Sequence, residues 1–291
     1  MKIYIDGIFY DKKDAKISVL DHGLLYGDGV FEGIRAYNGL VFKLEEHIDR
    51  LFESAKSIML TIPMTKKKLI EATILSLREN GLKNGYIRLV VTRGVGDLGL
   101  DPRKCRNATI IIIADKIALY PKTFYQKGLE VVTVATPRNL PEALNPQIKS
   151  LNYLNNILAK VSAINSGVEE AIMFSWDGHV AECTGDNIFV VKNGELCTPP
   201  VYLGILNGIT RQVIIGIARK NKFPCTEKIL TRHDLFIADE VFLTGTAAEV
   251  IPVIKIDSRP IGTGKPGRIT RELMREFHAL TKKEGVRYSV K

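Results

Sequence analysis

Lys149 stands in Asn145-Pro-Gln-Ile-Lys149-Ser-Leu-Asn-Tyr153, between a proline-containing loop and an apolar-periodic segment. Thirty-three residues later comes Glu182, in Val180-Ala-Glu182-Cys-Thr-Gly-Asp-Asn187. Two glycine-threonine turns follow, Gly208-Ile209-Thr210 and Gly245-Thr246-Ala247-Ala248. A lysine amine can form a Schiff base, and a carboxylate can keep a pyridine ring protonated. Turns of this kind present backbone N–H groups to an anion. These are the parts that a pyridoxal 5'-phosphate (PLP) site needs. Each is weak alone; the order of the set is the signal.

Every part also has a plainer reading. A lysine near a helix start is most often solvated, but Leu144, Ile148 and Leu151 surround Lys149 with apolar residues. Desolvation of that kind favours the free amine, which attacks aldehydes. Tyr153, four residues on, would share a helix face with Lys149 if the helix has begun. Glu182 on composition alone is a solvent-facing strand carboxylate. Thr210 reads as an ordinary helix N-cap, or as part of a helix start that meets a phosphate. Arg50 falls off the apolar stripe of its helix and reads as a surface arginine. Arg93-Gly-Val-Gly-Asp-Leu-Gly99 reads as a flexible loop, a lid or an interface.

Composition removes several classes. At 291 residues, 45% hydrophobic and 25% charged, the chain has a globular balance and room for one large domain or two ordinary ones. It opens on alternating Lys2-Ile-Tyr-Ile5, which predicts a strand rather than a signal or transit peptide. No apolar run approaches the roughly 18–20 residues that span a bilayer. Cys105, Cys183, Cys197 and Cys225 lack C-x-x-C spacing, and the five histidines are scattered. Metal binding and a disulfide framework are therefore disfavoured, and a cytoplasmic setting is expected. The net charge of +9 raises nucleic acid as a partner, but the basic residues are interleaved with acids. A solvated surface that attracts small anions fits better.

The elements that must position these residues follow from turns and periodicity. Asp6-Gly7, Asn38-Gly39, Asp177-Gly178 and Asn193-Gly194 predict two-residue hairpins. The third would pair Glu170–Trp176 with His179–Cys183. Leu44, Ile48, Leu51, Phe52, Ala55 and Ile58 mark one helix, and Lys66 to Asn80 a second. Leu151, Leu154, Ile157, Leu158 and Val161 line a third; Val213–Ala218 and Ile269–Leu280 lie in two more. Strands are expected at Tyr86–Thr92, Ala108–Ala114 and Leu129–Ala135. The pattern is α+β: two α/β domains with mostly antiparallel sheets. We place them at residues 1–116 and 129–291, with a linker over 117–128 that carries Leu119-Tyr120-Pro121. Gly94-Val-Gly-Asp-Leu-Gly99 matches G-x-G-x-x-G after a strand but opens no apolar-periodic helix, so a dinucleotide fold is disfavoured.

The segments DHGLLYGDGVFEGIRAY, EEHIDRL, YIRLVVTRGVGDLGLDP, NPQIKSLNYLNN, AECTGDNIFVVKNG, NGITRQVI and ADEVFLTGTAAEVIPV resemble, over nearly the whole chain, the branched-chain amino acid aminotransferases. These are PLP enzymes of fold type IV, the D-amino acid aminotransferase-like fold. The resemblance implies that Lys149 binds PLP covalently and shuttles the proton, with Glu182 on the pyridine nitrogen and Tyr153 on the ring oxygen. It implies Leu206 against the ring, and Arg50, Ile209, Thr210 and Thr246 around the phosphate. The substrate α-carboxylate would meet Tyr86 and the N–H groups of Thr246 and Ala247. Phe31, Gly33 and Tyr153 would shape an apolar pocket, while Arg88 and Tyr120 would take the side-chain carboxylate of glutamate. Tyr26 and the Leu98 loop would come from a second subunit, making a homodimer the minimal unit and leaving a hexamer open.

The implied reaction moves an amino group between leucine, isoleucine or valine and 2-oxoglutarate, giving glutamate. D-Amino acid transamination and aminodeoxychorismate lyase chemistry use the same fold and are the near alternatives. A basic nucleic-acid-binding module is the distant one. Two positions depart from the family pattern: Cys183 replaces a frequent glycine beside Glu182, and the linker lacks a frequent tryptophan.

Overall fold

A computed structural model describes residues 1–117 and 120–290. Of the expected linker, Leu119 lies outside the described residues. The chain forms two compact units, the first being Met1–Ile117, Ile148–Asn152 and Thr281–Lys291, the second Ala118–Gln147 and Tyr153–Leu280. In chain order the first unit opens with β1 (Lys2–Ile5), β2 (Ile8–Asp11), α1 (His22–Tyr26), β3 (Gly29–Tyr37) and β4 (Leu40–Val41). It continues with α2 (Leu44–Ser57), α3 (Lys66–Glu79), β5 (Gly85–Thr92) and β6 (Thr109–Asp115). The second unit begins with α4 (Lys122–Lys127), β7 (Leu129–Thr133), α5 (Pro141–Leu144), α6 (Leu154–Asn165), β8 (Glu170–Phe174) and β9 (Val180–Cys183). Then come β10 (Asn187–Lys192), β11 (Glu195–Thr198), α7 (Ile209–Lys220), β12 (Cys225–Glu227) and α8 (Arg232–Phe236). It closes with β13 (Glu240–Gly245), β14 (Glu249–Ile256), β15 (Arg259–Pro260) and α9 (Arg268–Leu280), and β16 (Val286–Arg287) returns to the first unit.

Among the described residues, the first sheet runs β16-β4-β3-β5-β6-β1-β2 and is antiparallel throughout. Alternation gives β3 and β5 two unlike faces. Val30, Ile34, Ile87 and Leu89 are buried with Leu44, Ile48 and Leu51 of α2 and Leu69 and Leu77 of α3. Phe31, Gly33, Tyr86 and Arg88 occupy alternate positions on the other face, with Gly33 paired to Arg88. The short β4 covers only Ala36 and Tyr37 of β3. Ile148–Asn152 fills part of the uncovered edge: Ser150 bridges Val30 in antiparallel sense. Phe31 N–H donates to the Lys149 carbonyl at 2.9 Å, and Leu151 N–H to that of Gly29 at 3.0 Å.

The second sheet runs β12-β11-β10-β13-β14-β7-β8-β9, with β15 on β14. Three of its pairings are parallel, those of β11 with β12, β14 with β7 and β7 with β8. The rest are antiparallel. Leu129, Val131, Ile172, Ile188, Leu243 and Ile251 lie in its core. The fold is therefore α+β with mostly antiparallel sheets, as the turns and periodicity predict.

Three local expectations need correction. Asp6, Asn38 and Asn193 take the positive φ of a tight hairpin turn, but Asp177 does not. Ser175 pairs with His179 instead, so β8 ends at Phe174, before Trp176. The helix after Lys149 begins only at Leu154, with Tyr153 as its N-cap residue, so Lys149 and Tyr153 share no helix face. In that helix Asn156, Ala159 and Ala163 are buried. The larger Leu154, Ile157, Leu158 and Val161 of its apolar stripe are 45–67% exposed. Thr210 is not an N-cap: Gly208 holds that position without a side-chain cap.

Candidate active site

The first unit gathers Lys149, Phe31, Gly33, Tyr86 and Arg88. Lys149 lies opposite Phe31 at the strand edge, and its Nζ sits over the Phe31 ring, 4.6 Å from the centroid. The Arg88 guanidinium lies 4.6 Å from the same centroid and 5.7 Å from that of Tyr86. Arg88 Nη2 also donates to the Tyr86 hydroxyl at 3.3 Å. Gly33 makes room for that phenol, because a Cβ there would lie 2.1 Å from the Tyr86 hydroxyl. One aromatic ring thus carries two cations, an arrangement favoured by the ring quadrupole. The Lys149 N–H donates to Ser54 Oγ of α2 at 3.1 Å.

Arg50 is not a surface arginine. Its side chain is 12% exposed, and Nε and Nη2 donate to Glu32 at 2.7 and 2.8 Å. His47 Nδ1 donates to the same carboxylate at 2.7 Å. Burial alone would raise the Glu32 pKa. The Arg50 charge and the hydrogen bonds from His47 and Arg50 outweigh it, holding the carboxyl at about 2. Burial pushes the His47 imidazole down, and the pull of Glu32 does not restore it.

Tyr26 and Leu98, expected to act together, meet in this unit: the Tyr26 hydroxyl donates to the Leu98 carbonyl at 2.5 Å. His22 Nε2 reaches the Asp97 carbonyl at 2.8 Å. The arginine that opens the loop is anchored: Arg93 pairs with Asp28 and donates to the carbonyls of Ile58 and Met59.

The second unit gathers another group. Glu182 is 4% exposed. Its Oε1 accepts from Arg138 Nε at 2.8 Å, while Oε2 accepts from Asn187 Nδ2 and Leu206 N–H, each at 3.1 Å. Asn187 also donates to the Leu206 carbonyl at 2.9 Å. A Cβ on Gly208 would lie 2.0 Å from Asn187 Oδ1, and one on Gly245 would lie 1.9 Å from Asp186 Oδ1. Asp186 and Asn187 therefore knit Glu182 and Leu206 to the start of α7, where Ile209 and Thr210 lie, and to the end of β13 before Thr246 and Ala247. Tyr153 is half-buried at the head of α6. Tyr120 is 7% exposed in the core of this unit. Burial, with Asp186 and Glu170 adding, keeps its phenol protonated.

The residues missed from sequence are those that hold others in place: Glu32, His47, Ser54, Arg138, Asp186 and Asn187. His47, Arg50 and Ser54 do share a helical spacing, i, i+3 and i+7. Arg138, 44 positions before Glu182, has no local signature.

These groups fit PLP by the chemistry of their donors. Three hydrogen bonds, one of them from the Arg138 guanidinium, hold the buried Glu182 carboxylate aimed, as a partner for a pyridinium nitrogen must be. The start of α7 carries N–H groups that no side chain caps, suited to a phosphate. Lys149 carries a primary amine over the Phe31 ring. Among the described residues, no group of three or more His, Cys, Asp or Glu could hold a metal ion. None of the described helices is long and apolar enough to cross a membrane.

Such a fold with such a donor set defines a PLP-dependent transferase of fold type IV. Residues 29–256 match the family Amino-transferase class IV. The chain belongs to this family, and its cofactor is PLP. It is 55% identical over 287 residues to a Methanocaldococcus jannaschii protein carried as a candidate branched-chain-amino-acid aminotransferase, covering 99% of both chains. A Staphylococcus haemolyticus D-alanine aminotransferase is 38% identical over 95% of this chain and 96% of its own. Among solved structures, the branched-chain aminotransferase of the thermophilic archaeon Thermoproteus uzoniensis, determined with norvaline, superposes with a TM-score of 0.91. It shares 40% identity, over 98% of this chain and 96% of that one.

Proposed function

We propose that this protein is a branched-chain amino acid aminotransferase. It moves an amino group reversibly between L-leucine, L-isoleucine or L-valine and 2-oxoglutarate, giving the branched 2-oxo acids and L-glutamate. The observation that carries the reading is the Phe31 ring with Lys149 and Arg88 both over it. An apolar surface beside a guanidinium can take an aliphatic chain in one half-reaction and a carboxylate in the other.

When bound, PLP supplies an aldehyde for amine exchange and a protonated ring that accepts the electron pair released with the substrate α-proton. In our reading Lys149 Nζ holds the cofactor and carries that proton. Glu182 keeps the pyridine nitrogen protonated, Tyr153 donates to the ring oxygen, and Leu206 packs on the ring. Arg50, Ile209, Thr210 and Thr246 bind the phosphate. Tyr86 and the N–H groups of Thr246 and Ala247 orient the substrate α-carboxylate. Phe31, Gly33 and Tyr153 enclose the aliphatic chain, while Arg88 and the protonated Tyr120 phenol bind the side-chain carboxylate of glutamate.

A second copy of the chain completes the site with Tyr26 and Leu98 in this reading. The 67% exposed Leu154, 54% exposed Ile157 and 73% exposed Leu98 support a partner surface. The four free thiols support a reducing, cytoplasmic setting.

Single-turnover absorbance tests the reading. L-Leucine should convert the cofactor spectrum and release stoichiometric 4-methyl-2-oxopentanoate. The similarity to a D-alanine aminotransferase makes D-amino acid transamination the second reading. Conversion by D-alanine and not by L-leucine would select it.

A further inference from the structure

Two faces of α2 are buried. Leu44, Ile48, Leu51 and Ala55 form an apolar one in the core. His47, Arg50 and Ser54 form a polar one. His47 and Ser54 are 1% and 3% exposed. Opposite them on β3, Glu32 is 0% exposed and accepts from Arg50 at two points and from His47 at a third. Two turns along the helix from His47, Ser54 accepts from the Lys149 backbone. One rigid helix thus joins the clamped arginine to the segment that carries the amine.

A carboxylate withdrawn fully from water is costly, and apolar packing at such a site is often no less stable. Stability alone therefore gives little reason for a charge at position 32. Orientation gives a better one. A guanidinium is a flat fork, and a carboxylate that takes its Nε and Nη2 fixes both the plane and the direction of the rest. His47 holds the carboxylate in turn, since its Nδ1–H can donate only while Oε2 stays in place.

We propose that Glu32, steadied by His47, is a positioning residue for the cofactor phosphate: it fixes the direction in which Arg50 meets that dianion. The inference rests on the reading of Arg50 as a phosphate ligand. A disordered arginine must lose rotamer freedom when the phosphate arrives, whereas a clamped one has lost it on folding.

The test compares the Kd of the apo-protein for PLP with its Kd for pyridoxal, which lacks the phosphate, by absorbance titration. A merely structural role weakens both alike, so the ratio of the two is the readout. Glu32→Gln should weaken PLP roughly tenfold or more, the scale of a hydrogen bond to a charged group, and leave pyridoxal nearly unchanged. If that variant does not fold, His47→Gln takes its place, with an expected loss of about threefold for PLP alone. Arg50→Gln is the reference. If Arg50→Gln moves the ratio while the folded Glu32 or His47 variant does not, the inference falls and the reading of Arg50 stands. If Arg50→Gln leaves the ratio unchanged, both fall.

Discussion

Lys149 and Phe31 are joined twice: the Phe31 N–H donates to the Lys149 carbonyl at 2.9 Å, and the Lys149 ammonium lies over the Phe31 ring at 4.6 Å. The backbone bond sets the register, and the register places both side chains on one face of the sheet. The lysine therefore owes its position to strand pairing with a residue 118 places earlier, and not to a helix of its own.

Replacing Phe31 by alanine removes the ring under both cations while leaving the backbone bond. Each such contact is worth about 0.5–2 kcal/mol, depending on desolvation. The expected outcome is a KM for L-leucine raised about tenfold, with smaller losses for Phe31→Tyr, which keeps the ring. Steady-state kinetics with leucine and glutamate in parallel would check it. Equal effects of Ala and Tyr would mean that the ring itself is immaterial.

Arg138 donates through Nε to Glu182 and through Nη1 to Asn155 at 3.0 Å and Asn156 at 3.3 Å, with only 6% of its side chain exposed. Lysine has one charged centre and cannot serve those partners together. Arg138→Lys should lower stability by about 1–3 kcal/mol, the cost of a buried acceptor left unmet. Arg138→Met, which leaves the Glu182 charge buried beside no cation, should cost about 3–5 kcal/mol. Urea denaturation would rank the two; a smaller loss for methionine would show that Glu182 does not depend on the guanidinium charge.

Some of this arrangement is legible in the sequence and some is not. Lys149, Glu182 and the turns at Gly208 and Gly245 can be picked out as an ordered set, because an amine, an acid and glycines at turns have local signatures, although each is weak alone. Gly33 and Arg88 can be named, but their pairing across β3 and β5 depends on a register that no local pattern fixes. Glu32 is invisible: on a strand it reads as one polar residue among apolar ones, and its partners are 15 and 18 residues away on a helix. The stripe of α6 is read as a helix correctly, but periodicity reports that a face is apolar and not what covers it. Hairpin turns are read correctly where Asn or Asp takes positive φ. The expectation fails at Asp177, where Ser175 bonds to the His179 backbone instead.

Gly33→Ala isolates geometry from stability. The added Cβ would lie 2.1 Å from the Tyr86 hydroxyl and 2.9 Å from its Cζ. Tyr86 is only half-buried, so its ring can swing aside without disturbing the core. The melting temperature should shift little, while Tyr86 loses its bond to Arg88 and its assigned hold on the α-carboxylate. We expect kcat/KM for leucine to fall about 10–100-fold, equivalent to roughly 1.4–2.7 kcal/mol. A large drop in melting temperature with unchanged kinetics would contradict this account.

Acid stability should report on Glu32 and His47. Glu32 has a folded pKa near 2 against an ordinary 4.5, so the folded state binds its proton less readily than the unfolded chain. Its contribution is complete above about pH 4.5 and is lost as pH falls toward 2, about 3 kcal/mol in all. His47 is also depressed, from 6.5, so it too favours the folded state above that pH and opposes it below. Both slopes have the same sign, and stability should decline in two stages on acidification. Urea midpoints measured from pH 7 to pH 3 would show them. His47→Gln should abolish the upper stage and keep most of the lower one. If the variant instead parallels the parent protein between pH 6.5 and 5, His47 is not a neutral buried imidazole, and the support assigned to the Glu32 clamp is lost with it.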